Sequence, residues 1–302
     1  MNMSDLRMFR MGKKVEELAS SRFDLEKKLQ NLLEENMQTV FGVRFLASEY
    51  VIDQGRMDSL GIDENNAPVV FEYKRSKDEN VMSQGLFYLT WLMDHKDSFK
   101  LLVMEKYSKV IASAIDWDGA RVICVANDFT NYDQGAIKQM NVNIALYRYR
   151  VFGKDLLYLE RLGENDVTEK KARTQSSSRH SSNDYSQLTF ISKMGKAPKS
   201  IRDLFVDVEN YIRSLGDDIT VAQLKYYKAF KKIANFVCVE VYQQSVILHL
   251  KLDVKTVAFE KGFSRDVTKI GHYGTGNVEI ALRTSADFEK AKQYIRRAYE
   301  EC

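Results

Sequence analysis

Apolar and polar positions follow two rhythms along this chain, and the changes of rhythm mark its elements. Residues 1–19 are Met-rich and charged and are expected to fray. Between Arg22 and Val40, the residues Phe23, Leu25, Leu29, Leu32, Leu33 and Met37 recur at helical spacing. Glu26, Glu34 and Glu35 ride on the same helix. Residues 43–53 (VRFLASEYVID) read as a strand. Two shorter strands follow, 56–63 and 69–74, joined by Glu64-Asn65-Asn66-Ala67-Pro68, a run of turn formers. Alternation along the second strand puts Val70, Glu72 and Lys74 on one face and Phe71 and Tyr73 on the other. A helix is predicted from Asn80 to about Asp94, with Phe87, Trp91 and Leu92 in the core. Residues 99–104 (FKLLVM) fit a strand or a helix end. Helices are predicted over 108–115 and 132–140. Strands are predicted over 121–126 and 144–151, the latter with Arg148 and Arg150 on one face. Strands alternating with helices imply a mixed sheet covered on both sides.

The rhythm stops at Leu162. Residues 162–196 are polar and Ser-rich, the composition of a flexible linker. A second α+β domain is expected over 197–302, behind a first domain over 1–161. Its first helix, IRDLFVDVENYIRSLG, has Gly216 as the expected C-cap. Residues 224–236 interleave Lys225, Lys228, Lys231 and Lys232 with Tyr226, Tyr227 and Phe230. That pattern serves phosphate charge and base stacking, so Lys225 and Lys228 are candidate nucleic-acid contacts, against the plainer reading of an amphipathic element. Residues 236–252 predict a hairpin around Gln243-Gln244-Ser245. Gly271, Gly274 and Gly276 form a loop before another strand, and the Gly-Lys-Ser/Thr element of a P-loop is absent from it. A helix over 286–300 closes the chain.

Composition narrows the function classes. The 302 residues, 44% hydrophobic and 29% charged, suit two ordinary globular domains. A net charge of +3 permits nucleic-acid binding without requiring it. Three widely spaced cysteines form no disulfide or zinc pattern, which fits a reducing, cytoplasmic setting. The four histidines stand too far apart in sequence to read as a metal cluster. No stretch approaches a membrane span or a signal-peptide core, so no membrane partner is expected and a transporter is a poor reading.

The chemistry concentrates in GRMDSLGIDENNAPVVFEYK, residues 55–74. Asp58 lies on the strand that can pair with the one carrying Glu72 and Lys74. Two carboxylates converging at a strand pair can hold Mg²⁺ or Mn²⁺, hard cations that keep several waters and accept phosphate oxygens. Such an ion polarises a phosphodiester and acidifies its bound water, and a lysine beside it stabilises transition-state charge. The plain alternative is a surface ion pair between Glu72 and Lys74. Against it stand the neighbouring Asp58 and the apolar run that the Glu-x-Lys terminates.

Asp58 followed by Glu72-Tyr73-Lys74 after an apolar strand resembles the PD-(D/E)XK nuclease superfamily in its RecB-type and NucS-like branches. The text GRMD…VVFEYKR is similar to the form used there, with Met57 where the family often has Pro. The resemblance covers roughly residues 20–160. It implies an α/β, restriction-endonuclease-like αβββαβ core with a mixed sheet. Asp58 and Glu72 would be metal ligands and Lys74 the catalytic lysine. Gln84 and Tyr88 match the Gln-x-x-x-Tyr of the following helix, one turn apart on one face. An early-helix glutamate supports the metal in those branches; Glu35 is the choice here, with Glu26 and Glu34 as alternatives. Arg56, Arg75 and Lys77 stand beside the motif as candidate phosphate contacts. The function so implied is a metal-dependent endonuclease hydrolysing DNA in repair, restriction or defence, with Mg²⁺ or Mn²⁺ as cofactor, DNA as partner and a homodimer as a compatible assembly. The alternative is a non-catalytic nucleic-acid- or protein-binding module that keeps the fold. The text RDVTKIGHYGTGNVEI resembles a family of uncharacterised C-terminal domains found behind such nuclease domains.

Overall fold

A computed structural model describes residues 6–75, 80–165 and 189–302. The chain divides into two units, 1–166 and 167–302. Among the described residues, no helix is long and apolar enough to cross a membrane.

The first unit opens with a two-stranded ribbon of β1 (Met8–Arg10) and β2 (Glu16–Leu18), where a frayed end was expected. The short β3 (Ser20–Ser21) joins the main sheet. The helical stripe after Arg22 becomes α1 (Glu26–Glu35) and α2 (Met37–Phe41), which ends on Gly42 in the left-handed region. Next come β4 (Val43–Ile52), β5 (Gly55–Asp63) and β6 (Pro68–Lys74). Three helices follow: α3 (Val81–Asp94), α4 (Lys96–Lys106) and α5 (Lys109–Ser113). The run 99–104 is therefore helical, because Phe99 and Val103 lie one turn apart and are the residues that α4 buries. Then β7 (Arg121–Ala126), α6 (Asn131–Ala136), β8 (Asn143–Phe152) and β9 (Leu156–Asn165) complete the unit.

The seven-stranded sheet runs β3-β8-β7-β6-β5-β4, with β9 also paired to β8. It is mixed: β6, β7 and β8 are parallel, and β4, β5 and β6 are antiparallel. Both faces are covered. Val70, Val122 and Leu146 pack with Leu89, Leu92 and Val103 from the α3–α4 side. Phe71, Tyr73 and Val125 pack with Leu29, Leu33 and Met37 from α1 and α2. The alternation along β6 is thus the division between two cores. Phe87, expected inside, is 41% exposed, and its ring stands edge-on to Tyr88.

Strand β9 carries the first unit to Asn165, past the expected boundary at 161. The expected linker is shortened at its other end too, because Phe190–Lys196 is helix α7, capped by Thr189. The second unit continues with α8 (Lys199–Arg213), β10 (Thr220–Gln223), β11 (Lys228–Lys231), β12 (Asn235–Val241), β13 (Val246–Leu250), β14 (Ser264–Asp266), β15 (Val278–Leu282) and α9 (Ser285–Glu300). The cap of α8 is Ser214, not Gly216. Gly216 instead lies where any Cβ would strike the Tyr299 hydroxyl. All six strands are antiparallel, in the order β10-β11-β12-β13-β15-β14. The three helices share one core with a single face of this sheet. The predicted hairpin is β12–β13, and the basic-aromatic run contributes β11.

Candidate active site

The site forms where β5 and β6 part. Their ladder runs from Ile62↔Pro68 to Ser59↔Phe71 and stops there. One step further, Asp58 and Glu72 would face each other across the strands. The Asp58 side chain takes the place of the missing ladder bond, as its Oδ2 accepts from the Tyr73 backbone N–H at 2.9 Å. On its other side Asp58 lies between the Ser48↔Ser59 and Tyr50↔Met57 pairs of the β4 register, near enough to Glu49 to feel its charge. Glu49 has φ +54°, a left-handed conformation rare for a non-glycine residue, and such strain clusters at functional sites. Gln30 from α1 donates to the Asp58 carbonyl at 2.8 Å.

Glu72 is 2% exposed, and its Oε1 accepts from Lys74 Nζ at 2.9 Å. Its Oε2 is buried with no hydrogen-bond partner. Burial, and then the Asp58 charge, push the Glu72 carboxyl up to about 7. Asp58 is also raised by burial, against the opposing bond from Tyr73 and the charge of Lys74. Burial works against the Lys74 ammonium, yet Glu72, Glu26 and Asp58 together hold its pKa above the ordinary value. The strand pair thus holds two carboxylates that resist ionisation and one ammonium that keeps its charge.

Helix α3 lies directly over Glu72. A Cβ on Gly85 would stand 2.6 Å from Val122 Cγ1 and 3.8 Å from the Glu72 Cβ, so the close approach requires glycine here. The residue before it, Gln84, has a buried Oε1 without a partner. One turn on, the Tyr88 ring packs where a side chain on Gly55 would sit, at the start of β5. Gln84 and Tyr88 therefore sit on the helix that covers the site.

The glutamate that joins the cluster is Glu26. Its Oε1 is 3.7 Å from Lys74 Nζ, and its Oε2 accepts from the Arg75 backbone N–H at 3.0 Å. Glu35, the choice made from sequence, is exposed. Glu34 is engaged elsewhere, accepting from Ser59 Oγ at 2.6 Å and from Gln30. The three acids on α1 project into different surroundings because Glu26 opens the helix while Glu34 and Glu35, adjacent at its end, point to different faces.

The candidate phosphate contacts divide. Arg56 pairs with Glu49 at 2.6 Å. Arg75 donates from its guanidinium to the Asp24 carbonyl at 2.8 Å. Lys77 lies outside the described residues. In the second unit Lys225 is exposed over the Tyr226 ring. Lys228 is held by both Glu209 oxygens at 2.8 Å over the Phe205 ring, which removes it from an open surface.

Among the described residues, no group of three or more His, Cys, Asp or Glu side chains is arranged to hold a metal ion. The two-carboxylate pair is the smaller donor set that Mg²⁺ accepts when waters and phosphate oxygens fill the rest of its shell. The unpartnered Glu72 Oε2, beside a second buried carboxylate, is the atom such an ion would satisfy.

Residues 191–301 match a family described as a domain of unknown function, DUF5655. An uncharacterized protein of Haemophilus influenzae is 26% identical over 290 residues, which is 94% of this chain and 96% of that protein. A repair endonuclease from Pyrococcus abyssi is 23% identical over 43% of this chain and 49% of its own, with a TM-score of 0.29. The apo form of EndoMS is 21% identical over 41% of this chain and 46% of its own, with a TM-score of 0.28. A complex of EndoMS with double-stranded DNA gives 18%, 47%, 64% and 0.26 for the same quantities. The chain thus spans about half the length of the first two structures it matches.

Proposed function

We propose that the first unit is a metal-dependent nuclease that hydrolyses DNA phosphodiester bonds. The observation that carries this reading is the Asp58–Glu72 pair. Two carboxylates facing each other at a strand opening, one of them 2% exposed with an unpartnered oxygen, cost stability when both are charged. A divalent cation held by both would remove that cost, and perturbed acids gathered around a lysine in this way are a physical marker of a reaction site.

Asp58 and Glu72 would hold Mg²⁺ or Mn²⁺, which supplies a Lewis acid and an acidified water. Tyr73 N–H fixes the Asp58 carboxylate, so one of its oxygens is spent on orientation. Lys74 is positioned by Glu72 and Glu26 and keeps its proton, which suits it to stabilise charge on a non-bridging phosphate oxygen. Gln84, on the helix that packs against Glu72, has an amide oxygen buried without a partner. The DNA substrate follows from the PD-(D/E)XK resemblance of residues 20–160, and it is the part of the proposal that the choice of nucleic acid in an assay decides.

Metal binding can be read without turnover. Titration of the protein with Mn²⁺, followed by the loss of the free-ion electron paramagnetic resonance signal, is expected to show a site that Asp58→Ala and Glu72→Gln weaken by at least about tenfold. Equal Mn²⁺ uptake by wild type and both variants would remove the ligand assignment.

A further inference from the structure

The registers of β5 skip Asp58 on both sides. Towards β6 the pairs stop at Ser59↔Phe71. Towards β4 they step from Ser48↔Ser59 to Tyr50↔Met57, and Glu49 between them has the left-handed backbone. A metal ligand at such a gap needs another source of rigidity.

Two bonds from outside the ladders grip it. The Tyr73 backbone N–H donates to the carboxylate, and Gln30 Nε2 donates to the Asp58 carbonyl at 2.8 Å. Gln30 comes from α1, the helix packed on the Phe71 and Tyr73 face of the sheet. Alternation sends Ser59 to that face, where its hydroxyl donates to Glu34, and sends Asp58 to the other face with Glu72. Gln30 therefore holds the Asp58 backbone from the face opposite the carboxylates, and its effect on a cation passes through Asp58.

Gln30 is itself fixed. It is 3% exposed, and the same Nε2 lies 2.8 Å from Glu34 Oε1 and 3.3 Å from Ser48 Oγ. A carbonyl and a carboxylate only accept, so the amide nitrogen and not its oxygen faces them. An amide buried here costs stability that an apolar side chain would not, unless these bonds are made. Glu26, Gln30 and Glu34 recur at i, i+4 and i+8 and form one stripe along the helix. The stripe meets the site in turn: Glu26 at Lys74 and the Arg75 N–H, Gln30 at Asp58, Glu34 at Ser59. Leu29 and Leu33 beside it sink into the core and seat the helix.

We propose that Gln30 is a positioning residue of the metal site, one that holds Asp58 in the geometry Mg²⁺ requires and so favours Mg²⁺ over Ca²⁺. Mg²⁺ demands near-octahedral ligands at short distance, whereas Ca²⁺ accepts longer bonds and a flexible shell. A fixed Asp58 suits the first ion, and a loose one gives up that advantage. The inference rests on the reading of Asp58 and Glu72 as metal ligands.

Gln30→Met keeps the length and the burial and removes the donor. It changes no charge, so an effect through the field of the site alone predicts no difference. Mn²⁺ is titrated into the full chain, followed by the free-ion electron paramagnetic resonance signal, and is then displaced with Mg²⁺ or Ca²⁺. The variant is expected to lose about tenfold in Mg²⁺ affinity and less than about threefold in Ca²⁺ affinity, so the preference between them shrinks. Glu34→Ala frees Gln30 from its anchor and keeps the test open if Gln30→Met does not fold. Its lost charge weakens both ions alike, so a smaller Mg²⁺/Ca²⁺ ratio there marks the loosened grip. Unchanged Mg²⁺ affinity in folded Gln30→Met, or equal losses for the two ions in either variant, would overturn the proposal while the ligand reading stands. A wild type without an Mn²⁺ site, or with one that Asp58→Ala leaves intact, would remove that reading and this inference with it.

Discussion

Glu72 carries the most direct chemical consequence. Its folded-state pKa of about 7 lies above its ordinary 4.5, so between those values the folded protein holds a proton that the unfolded chain releases. Metal-free stability should therefore fall as pH rises from 4.5 to 7 and level off above, by a few kcal/mol in order of magnitude. Urea denaturation in EDTA at pH 5 and pH 8 reads this directly. Glu72→Gln should reduce the difference to the part owed to Asp116, which burial raises to about 6, and should be the more stable protein at pH 8; a less stable variant there would contradict the burial argument. By the same linkage, Mn²⁺ affinity should rise with pH up to about 7 and then flatten. Asp58, Glu72 and Lys74 were legible in the sequence because their relation is local, set by two adjoining strands and a period of two. Glu26 was not. The choice of Glu35 followed chain order, which puts the helix end nearest the next strand. The fold instead brings the start of α1 beside the last residues of β6, where Asp24 and Glu26 meet Arg75 and Lys74.

At the scale of elements, α3 acts as the lid over the carboxylates, and its seating depends on Gly85. Gly85→Ala would force a methyl against Val122, and overpacking of this kind costs about 1–3 kcal/mol. Thermal melts should show that loss. Cleavage should fall further than stability explains, because Gln84 and Tyr88 move with the helix. Cleavage unchanged in a destabilised variant would separate α3 from the site. The alternation of helix and strand made the mixed sheet readable, and the two cores on either side of β6 follow from the same alternation. The run 99–104 was ambiguous because six apolar-rich residues fit either period, and α4 resolves it by burying only Phe99 and Val103. The linker was drawn too long because composition does not register short elements. Four residues of β9 and the seven of α7 are polar enough to pass for tether.

At the scale of the molecule, charge totals mislead where ion pairs consume the charge. Lys228 looked like a phosphate contact in a basic-aromatic run, yet β11 turns it onto α8 and Glu209. Lys228→Ala should lower stability by about 1–2 kcal/mol and leave the salt dependence of any DNA binding unaltered, since a true phosphate contact contributes a slope of about 0.9. A mobility-shift salt titration that loses one unit of slope would restore the sequence reading. In the second unit, the stack of His249 on His272 escaped the sequence for a different reason, their distance along the chain. His249 and His272 are separated by a long connection, and only the fold of the 271–276 loop back across the sheet stacks them.

The account stands most directly on one assay. Purified protein is incubated with supercoiled plasmid and with single-stranded DNA in Mg²⁺, Mn²⁺ or EDTA, beside Asp58→Ala and Lys74→Ala variants shown to be folded. The arrangement of Asp58, Glu72 and Lys74 predicts strand scission that needs the metal and is lost in both variants. Scission that persists in EDTA, or at the wild-type rate in either variant, would contradict it.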